Sequence, residues 1–325
     1  MSGARRDLAV GLAALAALAL AAALAALALG AVPVSIAEAL RGEGAARTIL
    51  LDVRLPRVLL AAAIGAVLAT AGATFQTLLR NPLADPFILG VSGGAACGAA
   101  VATAFGAGAI PGAVAAASFA GALLATFAVV TIARRHGRID PARLVLAGLV
   151  LNAFFSAAIL LALSLIRGSD LTAALHWMMG SLAGASWSGV ALVGGAAAVS
   201  IAISVWIAND VRMLGFGDED ARARGVATER VKAIGFVTAS LATGAAVAAS
   251  GIIGFVGLMV PHALRMIWRR DYRVLLPLSA AGGAALLVAA DLVARVAVAP
   301  AELPLGALTA LLGVPFFLAL LRRRS

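Results

Sequence analysis

The stretch VRMLGFGDEDARARGVATERVK, Val211 to Lys232, sets three consecutive acids, Asp218, Glu219 and Asp220, directly before Arg222 and Arg224. Acids suit the positive N-terminal end of a short helix, and Gly225 can end it. Such a charged helix has no use inside a bilayer, so the segment reads as a docking element for a cytoplasmic partner or as a plain solvated loop. A second candidate is Asp291 in AADLVARVAV, an acid deep in an apolar run with Arg295 four residues on. That spacing puts both on one helix face, where a structural ion pair is the economical reading and a proton relay the chemical one. His262 in VPHALR, beside Arg265, reads as a helix-end residue, and His136 and His176 have no partner at ligand spacing. The single cysteine, Cys97, rules out an intrachain disulfide and a multi-thiolate metal site. No metal site and no catalytic residue is expected. A P-loop needs a lysine after glycine, whereas the only lysine, Lys232, sits in RVKAI, so this chain is no P-loop ATPase.

The elements that must position these residues are set by composition. Of 325 residues, 63% are apolar, and the mean hydropathy is +1.06, far above the roughly 45 to 50% apolar content of a soluble domain. The net charge of +10 does not indicate nucleic-acid binding, because the basic residues punctuate apolar segments instead of clustering on a soluble face with aromatics. A bilayer core about 30 Å thick needs about 20 apolar residues per helix. Ten candidate spans fit, over residues 8–30, 57–79, 87–106, 110–132, 143–166, 187–208, 231–249, 252–268, 274–298 and 305–321. The eighth is the shortest and richest in glycine. The runs lack the alternation of a barrel strand, so the fold class is an all-α integral membrane protein, a single domain over residues 1–325. The first span resembles a signal peptide in charge order but exceeds the usual hydrophobic region and reads as a retained helix. With the N-terminus in the cytoplasm, only Arg41, Arg47, Arg54, Arg57, Arg167 and Arg295 of the 25 basic residues fall outside. This follows the positive-inside rule and puts both termini in the cytoplasm.

Between the second and third spans, Arg80 to Pro86 makes a tight connection in which Asn81-Pro82 breaks the helix. Asp85 is positioned to cap the next helix, with Pro86 at its first position. Gly90, Gly94 and Gly98 then recur every four residues as one bare face, suited to close helix packing or to making room for cargo. At the opposite side, RLPR places Arg54 and Arg57 at the mouth of the second span, with Arg295 near the end of the ninth. They read either as interface residues that snorkel or as an exposed basic rim that receives an acidic partner.

Six stretches carry a resemblance to a known family: RLPRVLLAAAIGAVLATAGATFQTLLRNPLADPFILGVSGGAA, HWMMGSLAGASW, LGFGDEDARARGV, SGIIGFVGLMVPHALR, DYRVLLPLSAAGGAALLVAADLVAR and ELPLGALTALLGVPFFLALL. In family order they resemble the permease subunits of type II ABC importers for ferric siderophores, haem and vitamin B12. The resemblance covers nearly all of the chain after residue 50; residues 1–50 carry little of it. It implies a homodimer of ten-helix subunits in the bacterial inner membrane, fed by a periplasmic binding protein and bound to two copies of a separate ATPase, which holds the ATP and Mg. By position, Gly217, Asp218, Glu219, Asp220, Ala221, Arg222, Arg224, Gly225 and Val226, within the loop 209–230, correspond to coupling helices that fit a cleft in the ATPase. Arg54, Arg57 and Arg295 correspond to positive knobs that meet glutamates of the binding protein. Asp140, Pro141 and Ala142 fall at the cytoplasmic gate, where some relatives carry small hydroxyl residues that this chain lacks. Asn152, Met178 and Met179 are candidates for the translocation path, being polar or adaptable residues near the fifth span. The implied function is import by alternating access. An ion- or proton-coupled carrier acting alone and a transport-inactive membrane scaffold are the other classes.

Overall fold

The computed structural model describes residues 2–30, 32, 39, 44–87, 89–135, 137–268 and 271–322. His136, Arg41, Arg269, Arg270, Arg323 and Arg324 lie outside the described residues. The order is α1 (Ser2–Ala28), α2 (Ala45–Leu78), α3 (Val91–Ala104), α4 (Ala113–Ala133), an antiparallel hairpin of β1 (Arg134–Arg135) and β2 (Arg138–Ile139), α5 (Pro141–Leu165), α6 (Ser169–Met178) and α7 (Trp187–Trp206). It continues through α8 (Ala208–Leu214), α9 (Asp218–Ala223), α10 (Thr228–Ser250), α11 (Val256–Ile267), α12 (Tyr272–Val296) and α13 (Leu305–Arg322). Side chains dictate several starts. Asp140, Ser186 and Asp271 accept backbone N–H groups at the first turns of α5, α7 and α12, and Pro141 occupies the first position of α5.

Among the described residues, seven helices are long and apolar enough to cross a membrane: those built on α1, α2, α4, α5, α7, α10 and α12. Helices α3, α11 and α13 are shorter, and they occupy the third, eighth and tenth candidate spans. The third helix starts at Val91 instead of residue 87, and the eighth at Val256 instead of 252. In both places the chain approaches as non-helical backbone, and partners elsewhere in the bundle take up its polar groups, the condition for irregular backbone at membrane depth. Asn152 Nδ2 donates to the Phe87 carbonyl at 2.8 Å before α3, and Ser181 N to the Ser250 carbonyl at 2.8 Å before α11; inside α11, Gln76 Nε2 donates at 3.1 Å to the Gly257 carbonyl, which Pro261 four residues on cannot serve. Asp85 therefore does not cap α3. Its Oδ1 accepts from Phe87 N at 2.8 Å inside the turn, and Gly90, at φ 82°, precedes the helix.

Helix α2 is the hub. It packs against α7, α10, α11 and α12, and 78% of its apolar window is buried against 6% for α1. Glycine permits the tightest of these crossings: a methyl at Gly65 would overlap the Gly283 carbonyl of α12, and one at Gly72 the Gly257 carbonyl of α11. Gly94 and Gly98 likewise lie against the Gly121 and Ala117 carbonyls of α4. The outward face of α5 carries exposed Leu146, Leu149, Val150, Phe154, Leu160 and Leu161. That pattern suits hydrocarbon as the surrounding solvent, since lipid tails are as apolar as leucine.

Candidate functional site: two charged clusters at opposite ends of the bundle

Arg57 and Arg80 bracket the inner length of α2 and, at about 1.5 Å per residue, stand roughly 35 Å apart. Each belongs to a separate ionic cluster. At the Arg80 end, Gly217 at φ 140° turns the chain into α9, and the helix closes with Gly225 N bonded to the Arg222 carbonyl (2.9 Å) and Val226 N to the Ala221 carbonyl (3.0 Å). With Gly225 left-handed at φ 82°, this is a Schellman stop. Ala221 is buried and pins α9 to the bundle, while Glu219, Asp220, Arg224 and Gly225 face outward. Phe216, just before the helix, is 65% exposed. Gly217 and Val226 are half-buried, and so are Asp218 and Arg222, which turn back into an ionic network. Asp218 pairs with Lys232 and lies 3.6 Å from Arg222 and 3.8 Å from Arg80; Arg222 Nε also donates to Thr228 Oγ1 at 3.1 Å. Arg212 and Asp271, 3.6 Å apart, tie α8 to the start of α12.

Asp140, at the hairpin that enters α5, is exposed, and its carboxylate accepts from Ala142 N at 2.9 Å and Arg143 N at 3.4 Å. Pro141 is half-buried and Ala142 exposed beside it. Beneath the same end, an open cavity of ≈ 550 Å³ is lined by Gln76, Thr77, Arg80, His262, Arg265 and Met266, with Arg265 Nη2 donating to Thr77 Oγ1 at 3.0 Å. Burial aside, Asp271 sits outside the spans, and the Arg273 guanidinium bonded to it at 2.9 Å holds its carboxyl below the usual carboxylate range.

At the other end, Arg57 grips two carboxylates. Its Nε donates to Asp291 Oδ1 at 3.0 Å, and Nη1 and Nη2 reach the two oxygens of Glu302 at 2.9 Å each. Arg295 Nε lies 3.0 Å from Asp291 Oδ2 as an ionic contact, and its Nη2 donates to the Ala26 carbonyl at 3.2 Å. Arg54 donates to the Leu27, Ala28 and Val32 carbonyls at 2.6, 3.1 and 2.5 Å. The exposed basic rim expected at Arg54, Arg57 and Arg295 is therefore corrected: these residues are only 4, 7 and 5% exposed. The cause is local. The last carbonyls of α1 have no helical partner and accept from two of the arginines, and the acids at 291 and 302 take the third.

The path candidates do not converge. Asn152 is half-buried and committed to the Phe87 carbonyl, Met178 lines a small cavity with Ala99, Ala100, Thr103 and Asp170, and Met179 is exposed at the end of α6. Sequence reasoning missed four residues of the clusters: Glu302, Glu229, Phe216 and Lys232. Glu302 and Glu229 lie in quoted stretches, but nothing in their spacing says which arginine or lysine they meet. An aromatic next to an acidic helix was the one available signal for Phe216. Among the described residues, no three of His, Cys, Asp and Glu come together in a way that could hold a metal ion.

A bundle of apolar helices with broken helices at membrane depth and a short charged helix projecting from one end defines a polytopic membrane transport protein. The comparison with known proteins makes this particular: residues 18–323 match the FecCD transport family, and the chain belongs to it. It is 44% identical over 280 residues to the cobalamin import system permease protein of Halobacterium salinarum, covering 86% of this chain and 75% of that protein. It is 41% identical over 279 residues to the hemin transport system permease protein of Yersinia pestis, covering 85% and 84%. A solved inward-facing structure of a metal-chelate type ABC transporter superposes with a TM-score of 0.85 at 29% identity, over 96% of this chain and 98% of that one.

Proposed function

We propose that the chain is the transmembrane permease subunit of an ATP-driven importer that carries a bulky metal chelate, a corrinoid, haem or iron chelate, from periplasm to cytoplasm by alternating access. The observation that carries this reading is the family match over almost the full chain, joined to a charged helix that stands off the bundle with one face free. In this reading two copies of the chain form the pathway, both termini face the cytoplasm, and ATP and Mg sit on a separate ATPase pair. Glu219, Asp220 and Arg224 face that ATPase, with Phe216 as an apolar anchor of the kind that dominates interface energy. The gate lies at the turn Asp140 to Ala142, and the periplasmic binding protein docks at the Arg57 end on whatever surface covers the buried arginines.

The carrier that works alone loses support at Asp291. Its carboxylate is already engaged by Arg57 and Arg295 and is 1% exposed, so no open relay for a proton leads through it. The test is reconstitution in liposomes with and without the cognate ATPase and binding protein. Uptake of cyanocobalamin or haemin that requires both partners and ATP supports the importer. Uphill uptake by this chain alone, driven by a pH gradient, refutes it. Reversing the charges of Asp218 and Arg222 is expected to separate hydrolysis from uptake.

A further inference from the structure

We propose that Lys232 is a positioning residue that locks the docking helix α9 to the hairpin entering α5, so that displacement of α9 is delivered to the start of α5. This inference rests on the importer reading given above. Lys232 is 1% exposed although it lies one turn into α10, near the charged end of the bundle. A buried ammonium is tolerated only when its protons are all taken, and here three acceptors from three places take them. They are Asp218 Oδ2 of α9, Glu229 Oε1 of α10 at 3.4 Å, and the Ile139 carbonyl of β2 at 3.2 Å. The second oxygen of Glu229 accepts from Ile139 N at 2.6 Å. Both backbone polar groups of Ile139 are thereby held, one residue before the Asp140 cap and the Pro141 start of α5.

Two further observations single out this clamp as the polar link between the two elements. Between Arg135, Arg138, Asp140 and Pro141 on one side and Asp218 and Arg222 on the other lies an open cavity of ≈ 480 Å³, so the facing side chains do not fill the gap. Among the described residues, the hydrogen bonds from the α9–α10 segment to the hairpin are those made by Lys232 and Glu229 to Ile139. Helix α9, at six residues, is too short to hold its own orientation. A push on its exposed acidic face reaches Asp218, then Lys232, then the backbone at Ile139.

The test uses the full chain in lipid nanodiscs and, with the ATPase and binding protein, in liposomes. Spin labels are placed at Ala223→Cys and Arg138→Cys on a Cys97→Ala background, at exposed positions outside the clamp and outside the docking residues. The clamp variant is Lys232→Met. The Asp218→Asn, Glu229→Gln, Lys232→Met triple is made alongside it, because it removes the buried ammonium together with both of its carboxylate partners, and it keeps the test open should the single variant fail to fold. The expected results are a distance distribution at least twice as broad as in the wild type, and cyanocobalamin or haemin uptake per ATP hydrolysed reduced about tenfold while hydrolysis keeps at least half its rate. A purely structural role lowers uptake and hydrolysis together and leaves their ratio unchanged. The proposal is overturned if the triple variant keeps the wild-type distribution or the wild-type ratio. If the wild type itself needs no ATPase for uptake, the importer reading fails, and the label distances still decide whether Lys232 holds the two elements together.

Discussion

The two charged clusters both pair carboxylates with cations, one between α2 and α12 and the other between α9 and α10, and to different ends. At the α1 end the three guanidinium groups of the cluster turn inward: Arg57 and Arg295 share Asp291, and Arg54 and Arg295 close the last carbonyls of α1. Helix α1 has little burial of its own, and these bonds fasten it to the hub. At the α9 end one cation, Lys232, is buried to hold three elements, while Glu219 and Asp220 of α9 point outward with Phe216 beside them. A cluster whose charges are all consumed internally fixes the bundle. A cluster that consumes half of them holds one face and presents the other, which is what a lever joined to a partner requires.

The comparison breaks most visibly at Asp291. Asp291→Ala leaves Arg57 and Arg295 buried with less than their full complement of acceptors. The expected loss is on the order of 3 to 5 kcal/mol, the usual result of removing one member of a buried ionic group. Thermal unfolding in detergent reads it, and a change within 1 kcal/mol would show that the cluster is not structural. Glu219→Lys with Asp220→Lys should do the reverse, leaving the unfolding temperature nearly unmoved, since both side chains are exposed, while ATPase binding weakens about tenfold or more. Equal affinity in a pull-down titration would remove α9 as the docking element. Phe216→Ala is expected to weaken the same complex by several-fold with no loss of stability, and its effect should vanish on the double-lysine background if the two act through one interface.

The smallest effect is the pH dependence at Asp271. Its bond to Arg273 lowers the carboxyl below its unfolded value, so the contribution is fully present above the unfolded pKa of about 3.9 and is lost as pH falls through the lower folded value. The pair is partly solvated, so the pH-dependent part amounts to a few tenths of a kcal/mol. Wild type and Asp271→Ala should therefore converge in stability as pH falls below the folded value, and a difference that persists at strongly acid pH would assign the effect to something other than this ionisation.

Much of this was legible from residues alone. Long apolar runs fixed the helices, the acid-then-arginine order of Asp218 to Arg224 marked α9, and the four-residue step from Asp291 to Arg295 put both on one face. The reading failed at Arg54 and Arg57, whose position at a span mouth suggests exposure. Their burial depends on Glu302 and on the carbonyls at the end of α1, groups 245 and 27 residues away in the chain. It failed also at Asp85, where a capping sequence stands five residues too early, because Asn152 holds the Phe87 carbonyl in a non-helical approach.

By itself the sequence determined a membrane protein of apolar helices with one charged, outward helix, since hydrophobic length and local charge order are properties of neighbours in the chain. Tertiary structure alone decided which charges are spent inside and which remain on offer. Lys232 illustrates the reason: in sequence it is a lone lysine near a helix start, and only the convergence of Asp218, Glu229 and the Ile139 carbonyl from three elements makes its burial possible.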